Sequence, residues 1–598
     1  MQHYFCNPLN VNYRYQFNKN PMGEGVAIGR EAADPSMLLF KGKYYIFASM
    51  TLGVWVSDDL AHWENHRLPE DLPLYDYAPD VRMMGEFVYL SACRSSGNNK
   101  FYRTKDIVNG PYEEIPATFY FSDPNLFVDE DNRVYFYWGL SSTTPIWGVE
   151  LDPKTMRPIG DKSELIWGDP FLKGFERVGE DNEKFPCSEE ELKKRLDYYL
   201  KNYGKAENTP VDPEMYDSIK GFLSDAPYIE GSWMNKHHGR YYLQYAFAGT
   251  QYNIYGDGVY VSEHPLGPFT LAKNNPYSYK PGGFLPGAGH GSTMWDKYEN
   301  LWHAATMRIS MNHNFERRAG LWPAGFDGDG ELFCNQRYGD WPARVEQDKM
   351  DPWRNPDWYL LSYSKPVKAS SYEEGKEPEK AADENVRTWW RAGSSTPGEW
   401  LEMDLGKPFD VHAIQINFAD DKINVSIPSE KYSNEHFRYI EEADHVTRWV
   451  LEGSLDQQVY FVIEDKSDAQ TDLPHDLVVR EEGLQLRFLR LTILEIPYAQ
   501  KPCISGLRVF GCGKGEPPTV PIFHAARAGE IDIDVTIEDE GAVGYNILWG
   551  HSPDKLYHSY MVFGTRKRIS ALVKGEEYFV RVDAFNENGI TEGNMMKL

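Results

Sequence analysis

Along the first 340 residues, apolar and polar positions recur in one pattern: a short apolar strand, a Gly- or Asp-rich turn, then an aromatic strand. Five segments carry it: 34–49 (DPSMLLFKGKYYIFAS), 80–92 (DVRMMGEFVYLSA), 123–139 (DPNLFVDEDNRVYFYWG), 230–247 (EGSWMNKHHGRYYLQYAF) and 290–306 (HGSTMWDKYENLWHAAT). In each copy a polar residue opens the first strand, and the aromatic strand begins about ten residues later. A third strand often follows, at Val54–Trp63, Phe101–Tyr112 and Val259–Phe269. Short apolar runs between turn signals predict strands rather than helices. A unit of three or four strands cannot bury its faces alone, and five such units packed radially give a five-bladed β-propeller. The opening residue of each innermost strand would then face a shared axis. Asp34, Asp80, Asp123, Glu230 and His290 are therefore expected in one pocket. The alternative, five unrelated turn residues, makes the shared register an accident.

The pattern is interrupted once, at about 168–222. There Ser188 and Glu191 form a capping box, and Leu192, Leu196 and Tyr199 follow at helical spacing. This helical insertion precedes the Glu230 strand, so it is expected either to wall the pocket and limit substrate length or to decorate the surface. Beyond Asp351 the composition shifts and the strands change character. The predicted fold class is all-β: a propeller over 1–345, a linker over 346–360, and two β-sandwiches over 361–514 and 515–598.

Composition narrows the function. Aromatic residues make up 14% of the 598, including 39 Tyr and 17 Trp; this suits a β-rich protein and equally suits sugars, whose CH faces lie on aromatic rings. A net charge of -28 leaves nothing basic enough to track phosphates or anionic membranes, so no nucleic-acid or membrane partner is expected. The six cysteines form no Cys-x-x-Cys pair, which removes the usual zinc and redox motifs. Residues 1–8 lack the basic start and apolar core of a signal peptide, predicting a cytoplasmic protein if Met1 is the native start and a secreted one if a leader has been trimmed. Oligomeric state is not legible.

The candidate chemistry lies with the carboxylates. Glu230 sits between Ile229 and Gly231, with Tyr228 and Trp233 close by. Loss of water there raises a carboxyl pKa toward the value a general acid needs at neutral pH. Two carboxylates facing across a pocket can hydrolyse a glycosidic bond, and a third can orient the acid and raise its pKa by like-charge repulsion. Asp34, Asp123 and Glu230 supply the three.

Four motifs in order, Ala33-Asp-Pro-Ser36, Ser122-Asp-Pro-Asn-Leu-Phe127, Ile229-Glu-Gly-Ser-Trp233 and Gly287-Ala-Gly-His-Gly291, resemble those of family 43 glycoside hydrolases. The resemblance covers roughly residues 1–345 and implies a five-bladed propeller that inverts the anomeric centre. It implies Asp34 as the base activating water, Glu230 as the acid and Asp123 as the residue that tunes Glu230, with the two reacting carboxyls roughly 6.5–9.5 Å apart. His290 matches an axial histidine that lies near a bound calcium or water in some members; a hydrogen-bonded core histidine is the other reading. No cofactor is implied for the chemistry, only a structural calcium. An Arg of the last blade contacts the terminal sugar in such enzymes, here Arg317 or its neighbour Arg318. Asp80 is expected to contact substrate or to pair structurally. Tyr77 and Trp233 are expected to line the sugar site or to pack blades.

Residues 368–406, with Phe488–Thr492 and Leu507–Gly511, resemble a discoidin-like (factor 5/8 C-type) domain, which would bind sugar or pack on the propeller. The segments Tyr545–Gly550, Leu572–Tyr578 and Val580–Asn586 resemble a fibronectin type III sandwich, with Tyr578 as its corner tyrosine and a spacer or docking role. The expected activity is exo-acting release of a terminal pentose from plant or microbial polysaccharide or oligosaccharide, α-L-arabinofuranosidase first, β-xylosidase second, and a galactose- or galactofuranose-releasing enzyme as a further family alternative. A non-catalytic sugar-binding propeller and a propeller phosphorylase are the rivals of other kinds.

Overall fold

The computed structural model describes residues 3–19, 25–69, 72, 77–93, 99–202, 213–426, 438–538 and 541–598. The start at Met1 and part of the helical insertion lie outside these residues. Five four-stranded antiparallel sheets, each in simple up-and-down order, follow one another in sequence. Their innermost strands are Ala33–Phe40, Asp80–Met84, Asn125–Val128, Ile229–His237 and Gly289–Trp295. Each touches the next, and the last returns to the first, so the five sheets close into a propeller. The described helices α1 (Glu189–Asn202) and α2 (Pro213–Leu223) both fall in the insertion.

A repeated hydrogen bond seals the ring. The Ser36 hydroxyl accepts from the Val81 N–H at 3.1 Å, Asp80 from Leu126 at 2.7 Å, Asn125 from Met234 at 2.8 Å, and Ser292 from Met37 at 2.9 Å. Each acceptor lies on one innermost strand and each donor on the next. Buried backbone N–H groups must find partners, and this link satisfies them without a continuous sheet.

The link also fixes the register of the repeat. Ser36, Asn125 and Ser292 stand two residues after Asp34, Asp123 and His290, so Asp80 is equivalent to Ser36 rather than to Asp34. The residue matching Asp34 in the second blade is Ala78, and the backbone agrees: Asp34, Ala78, Asp123 and His290 have φ of 50°, 49°, 50° and 51°. The expectation that Asp80 faces the common pocket is therefore corrected. It is buried, and its two oxygens accept from Asn125 Nδ2 and the Leu126 N–H. Burial raises its pKa to about 6 against the opposing charge of Arg82.

The remainder of the chain packs against this ring. Residues 359–512 form an eight-stranded antiparallel sheet whose long strands Glu399–Phe418 and His475–Glu495 bend at bulges. Residues 523–597 form two further sheets that share one core, with Ile533 and Val535 from one and Trp549 and Val580 from the other. The Tyr578 hydroxyl accepts the Val573 N–H at 2.9 Å, the bond back to the chain expected of a corner tyrosine.

Docking is ionic as well as apolar. Arg508 of the first sandwich pairs with Glu384 at 2.8 Å and reaches the Asp340 carbonyl of the propeller at 2.5 Å. Arg30 pairs with Asp420 at 2.9 Å and Asp472 at 2.7 Å. The insertion also docks the last domain: the Gly174 N–H donates to the Leu572 carbonyl at 2.8 Å, and Arg177 pairs with Asp532 at 2.5 Å. A side chain at Gly174 would meet the Leu572 and Ser570 carbonyls at 2.8 Å, so glycine is required for that approach. The Glu191 N–H donates to Ser188 at 3.3 Å, but the Glu191 carboxylate turns to Arg195 at 3.0 Å, so only half of the expected capping box forms. The contacts of Arg195 run on to Leu223 and Asp225. Among the described residues no helix is long and apolar enough to cross a membrane.

One element is shared. Strands Arg14–Lys19 and Val26–Glu31 pair with each other ahead of the first blade, and Arg438–Ile440 of the sandwich adds a third strand. A segment of the second domain thus extends the hairpin that leads into the first blade.

Candidate active site

Register shifts at the openings of the first, fourth and fifth blades, between Ala33 and Ser36, Glu230 and Trp233, and Gly289 and Ser292, take Asp34, Gly231 and His290 out of the ladder, while Glu230 stays paired with Ala246 just before its shift. Such bulges re-aim a side chain, here inward along the axis. Positive φ at a non-glycine residue is costly and persists where surrounding bonds over-determine it. At His290 they do: Asp257 of the neighbouring blade accepts the His290 N–H at 2.7 Å and the Gly291 N–H at 3.0 Å. Gly231 has φ of 57°, and a side chain there would meet the His290 ring at 2.6 Å. Glycine after Glu230 is thus needed for Glu230 and His290 to stand side by side.

Asp34 is held by four groups. Ser49 donates to Oδ2 at 2.7 Å, Thr306 to Oδ1 at 3.4 Å, Arg317 Nη1 lies 3.1 Å from Oδ1, and His290 Nδ1 lies 3.4 Å from the same oxygen. Burial works to raise its pKa, but Arg317, His290 and the two hydroxyls outweigh it and hold the carboxyl below the usual range. Asp34 is therefore ionised at neutral pH.

Glu230 has the opposite balance. Burial and the Asp123 charge push it up to about 7, against His290 and the hydrogen bond that Tyr255 donates to Oε1 at 2.6 Å. Asp123 is itself raised by burial and by Asp34, with His290 opposing. Cys93 Sγ lies 3.1 Å from Asp123 Oδ1 and accepts the Asp123 N–H at 2.8 Å, fixing that carboxyl.

His290 stands among all three acids, 3.4 Å from Asp34 and 3.8 Å from Asp123. Burial alone would lower its pKa, yet Asp34, Asp123 and Glu230 together raise it. When protonated, this ring supplies positive charge among the acids. Among the described residues no group of three or more His, Cys, Asp or Glu side chains is arranged to hold a metal ion.

Of the two candidate arginines, Arg317 faces Asp34, its Nε and Nη2 bound to Glu31. Arg318 points away, donating to His475 at 2.8 Å and the Arg30 carbonyl at 2.6 Å. Tyr77 is half-buried near Arg317 and Asp34, 6.0 Å from the Phe315 ring. Trp233 is corrected to packing: it is 4% exposed, its ring covered by the Arg82 guanidinium at 3.5 Å. Glu31, Cys93, Tyr255 and Arg438 belong to the site but escaped sequence reasoning. Glu31 alone left a signal, three residues before Asp34 in the same apolar run.

The arrangement pairs a carboxyl held below its usual range with one pushed up toward neutrality, which is what acid–base cleavage of a glycosidic bond requires. The model of glycosyl hydrolases family 43 matches residues 22–177 and 184–332, just over half of the chain. The chain belongs to this family. It is a glycoside hydrolase, and its substrate is carbohydrate. An F5/8 type C domain matches residues 366–436. This family 43 chain is 24% identical over 274 residues to xylosidase/arabinosidase 43A of Humicola insolens, covering 40% of the chain and 78% of that relative. It is 25% identical over 220 residues to a β-xylosidase of Xylanibacter ruminicola, covering 36% of the chain and 57% of that relative. A solved family 43 structure from Bacillus licheniformis aligns over 99% of this chain and 98% of its own, at 15% identity and a TM-score of 0.40. A score that low adds nothing to the case made by the sheets.

Proposed function

We propose that the enzyme is an exo-acting, inverting glycosidase releasing terminal pentose, with α-L-arabinofuranoside as the first substrate. The observation carrying this reading is the opposed state of two carboxyls: Asp34 kept ionised by Arg317 and His290, Glu230 pushed up to about 7 beside Asp123. Asp34 takes a proton from water as the oxygen attacks the anomeric carbon, while Glu230 gives its proton to the departing oxygen. Asp123 keeps Glu230 protonated. Arg317 is proposed to meet ring hydroxyls of the terminal sugar as well as Asp34, with Tyr77 beside it. β-Xylosidase is the second reading, favoured by the names of the two relatives. A structural calcium near His290, held through water, is a separate proposal; a chelator should then alter thermal stability while leaving the chemical step in place.

A panel of nitrophenyl pentosides and hexosides, with NMR of the first-formed anomer, tests the reading. Fastest turnover of the arabinofuranoside with inverted product supports it. A retained anomer would turn Asp34 into a nucleophile, and inactivity on every glycoside would overturn the reading.

A further inference from the structure

Arg438 lies in the second domain, more than 400 residues from Asp34, yet belongs to the same chain of charges. Its strand pairs Asn18 with Arg438 and Gln16 with Ile440, so the propeller's own N-terminal hairpin places it. The side chain is 3% exposed. Nη1 donates to Glu31 Oε2 at 2.7 Å and to Gln16 Oε1 at 3.1 Å, while Nε is buried without a partner. The guanidinium stands 5.0 Å from the Tyr77 ring and 5.7 Å from the Phe315 ring. Glu31 is buried too, and its other oxygen takes Nε of Arg317 at 3.0 Å together with Nη2. Arg317 then reaches Asp34 at 3.1 Å.

Cations and anions therefore alternate along one buried line: Arg438, Glu31, Arg317, Asp34. In a low-dielectric setting each member fixes its neighbours, and removing an end leaves a buried charge short of a partner. Without Arg438, Glu31 would have Arg317 as its remaining guanidinium partner and would draw it from Asp34.

We propose that Arg438 of the discoidin-like domain is a positioning residue for hydrolysis, holding Glu31 so that Arg317 keeps Asp34 in place. This rests on the reading of Asp34 as the base. It gives the second domain a part in catalysis that neither sugar binding nor plain packing would give it.

The test is the pH dependence of kcat and KM in the full chain. Arg438→Gln should lower kcat on the order of tenfold with a smaller change in KM, and should move the acid limb upward by about half a unit to one unit, because Glu31 is less neutralised and disfavours ionised Asp34. Arg438→Lys keeps the charge but loses the planar fork, so its limb should stay near wild type while kcat falls several-fold. Asp472→Asn, which loosens the same domain interface through Arg30 without touching Glu31, should leave the limb in place. Wild-type kcat in the Lys variant, a wild-type limb in a folded Gln variant, or an equal limb shift in Asp472→Asn would overturn the proposal. Failure of the underlying reading is separate: full activity of Asp34→Asn would sink that, whatever Arg438 does.

Discussion

The openings of the first and fourth blades are built alike. Each carries a carboxylic acid at its second residue and a register shift there, which encloses Asp34 and directly follows Glu230, and each feeds a strand of eight or nine residues into the core. They differ in their neighbours. Both are buried, but Asp34 meets Arg317, His290, Ser49 and Thr306, which outweigh burial, whereas at Glu230 the Asp123 carboxyl adds to burial and the two outweigh His290 and Tyr255. Residue type does not set the two charge states here. The surrounding blades do, by placing an arginine at one opening and an acid at the other.

The largest break in this comparison should come from Asp34→Asn. Losing the base removes water activation, and kcat should fall by about 10²–10⁴-fold while thermal stability changes little, as read by steady-state kinetics and melting. Asp123→Asn should sharpen the comparison from the other side. With a charge near Glu230 removed, its pKa falls, so the alkaline limb of kcat/KM moves to lower pH and the rate at pH 7 drops on the order of tenfold. Wild type gives the reference: activity falls as pH rises through about 7, where Glu230 loses its proton, and holds on the acid side until Asp34 is protonated below the usual carboxylate range. Tyr255→Phe should act more weakly and with opposite sign. The lost hydrogen bond favoured the ionised form, so the alkaline limb should rise by a few tenths of a unit. Asp80→Ala separates ring structure from chemistry: two buried donors lose their acceptor, stability should fall by about 1–3 kcal/mol, and the limbs should not move.

How much of this was legible varies with distance along the chain. Five hairpins with a shared period declared the propeller, because the alternation that buries a strand is written locally. Asp34 and Asp123 stand where that pattern put them, but the matching position in the fourth blade is Gly231, and Glu230 precedes it by one residue. Asp80 misled because it is acidic and opens a strand, yet Pro35, Pro79 and Pro124 mark the true register and align Ala78 with Asp34 and Asp123. Trp233 looked like a sugar platform, but the arginine that covers it lies on another blade. Tyr255 sits between two strands with no pattern around it. Arg438 left no trace, since what matters is its pairing with a hairpin at the opposite end of the chain.

The most direct test of the opposed carboxyls compares Glu230→Gln and Asp34→Asn on two substrates of the same sugar, one with an alkyl leaving group and one with a dinitrophenyl group that departs without protonation. The account predicts that Glu230→Gln collapses on the alkyl glycoside and keeps near wild-type turnover on the activated one, while Asp34→Asn collapses on both. Equal losses on both substrates in Glu230→Gln, or recovery of Asp34→Asn on the activated one, would contradict it.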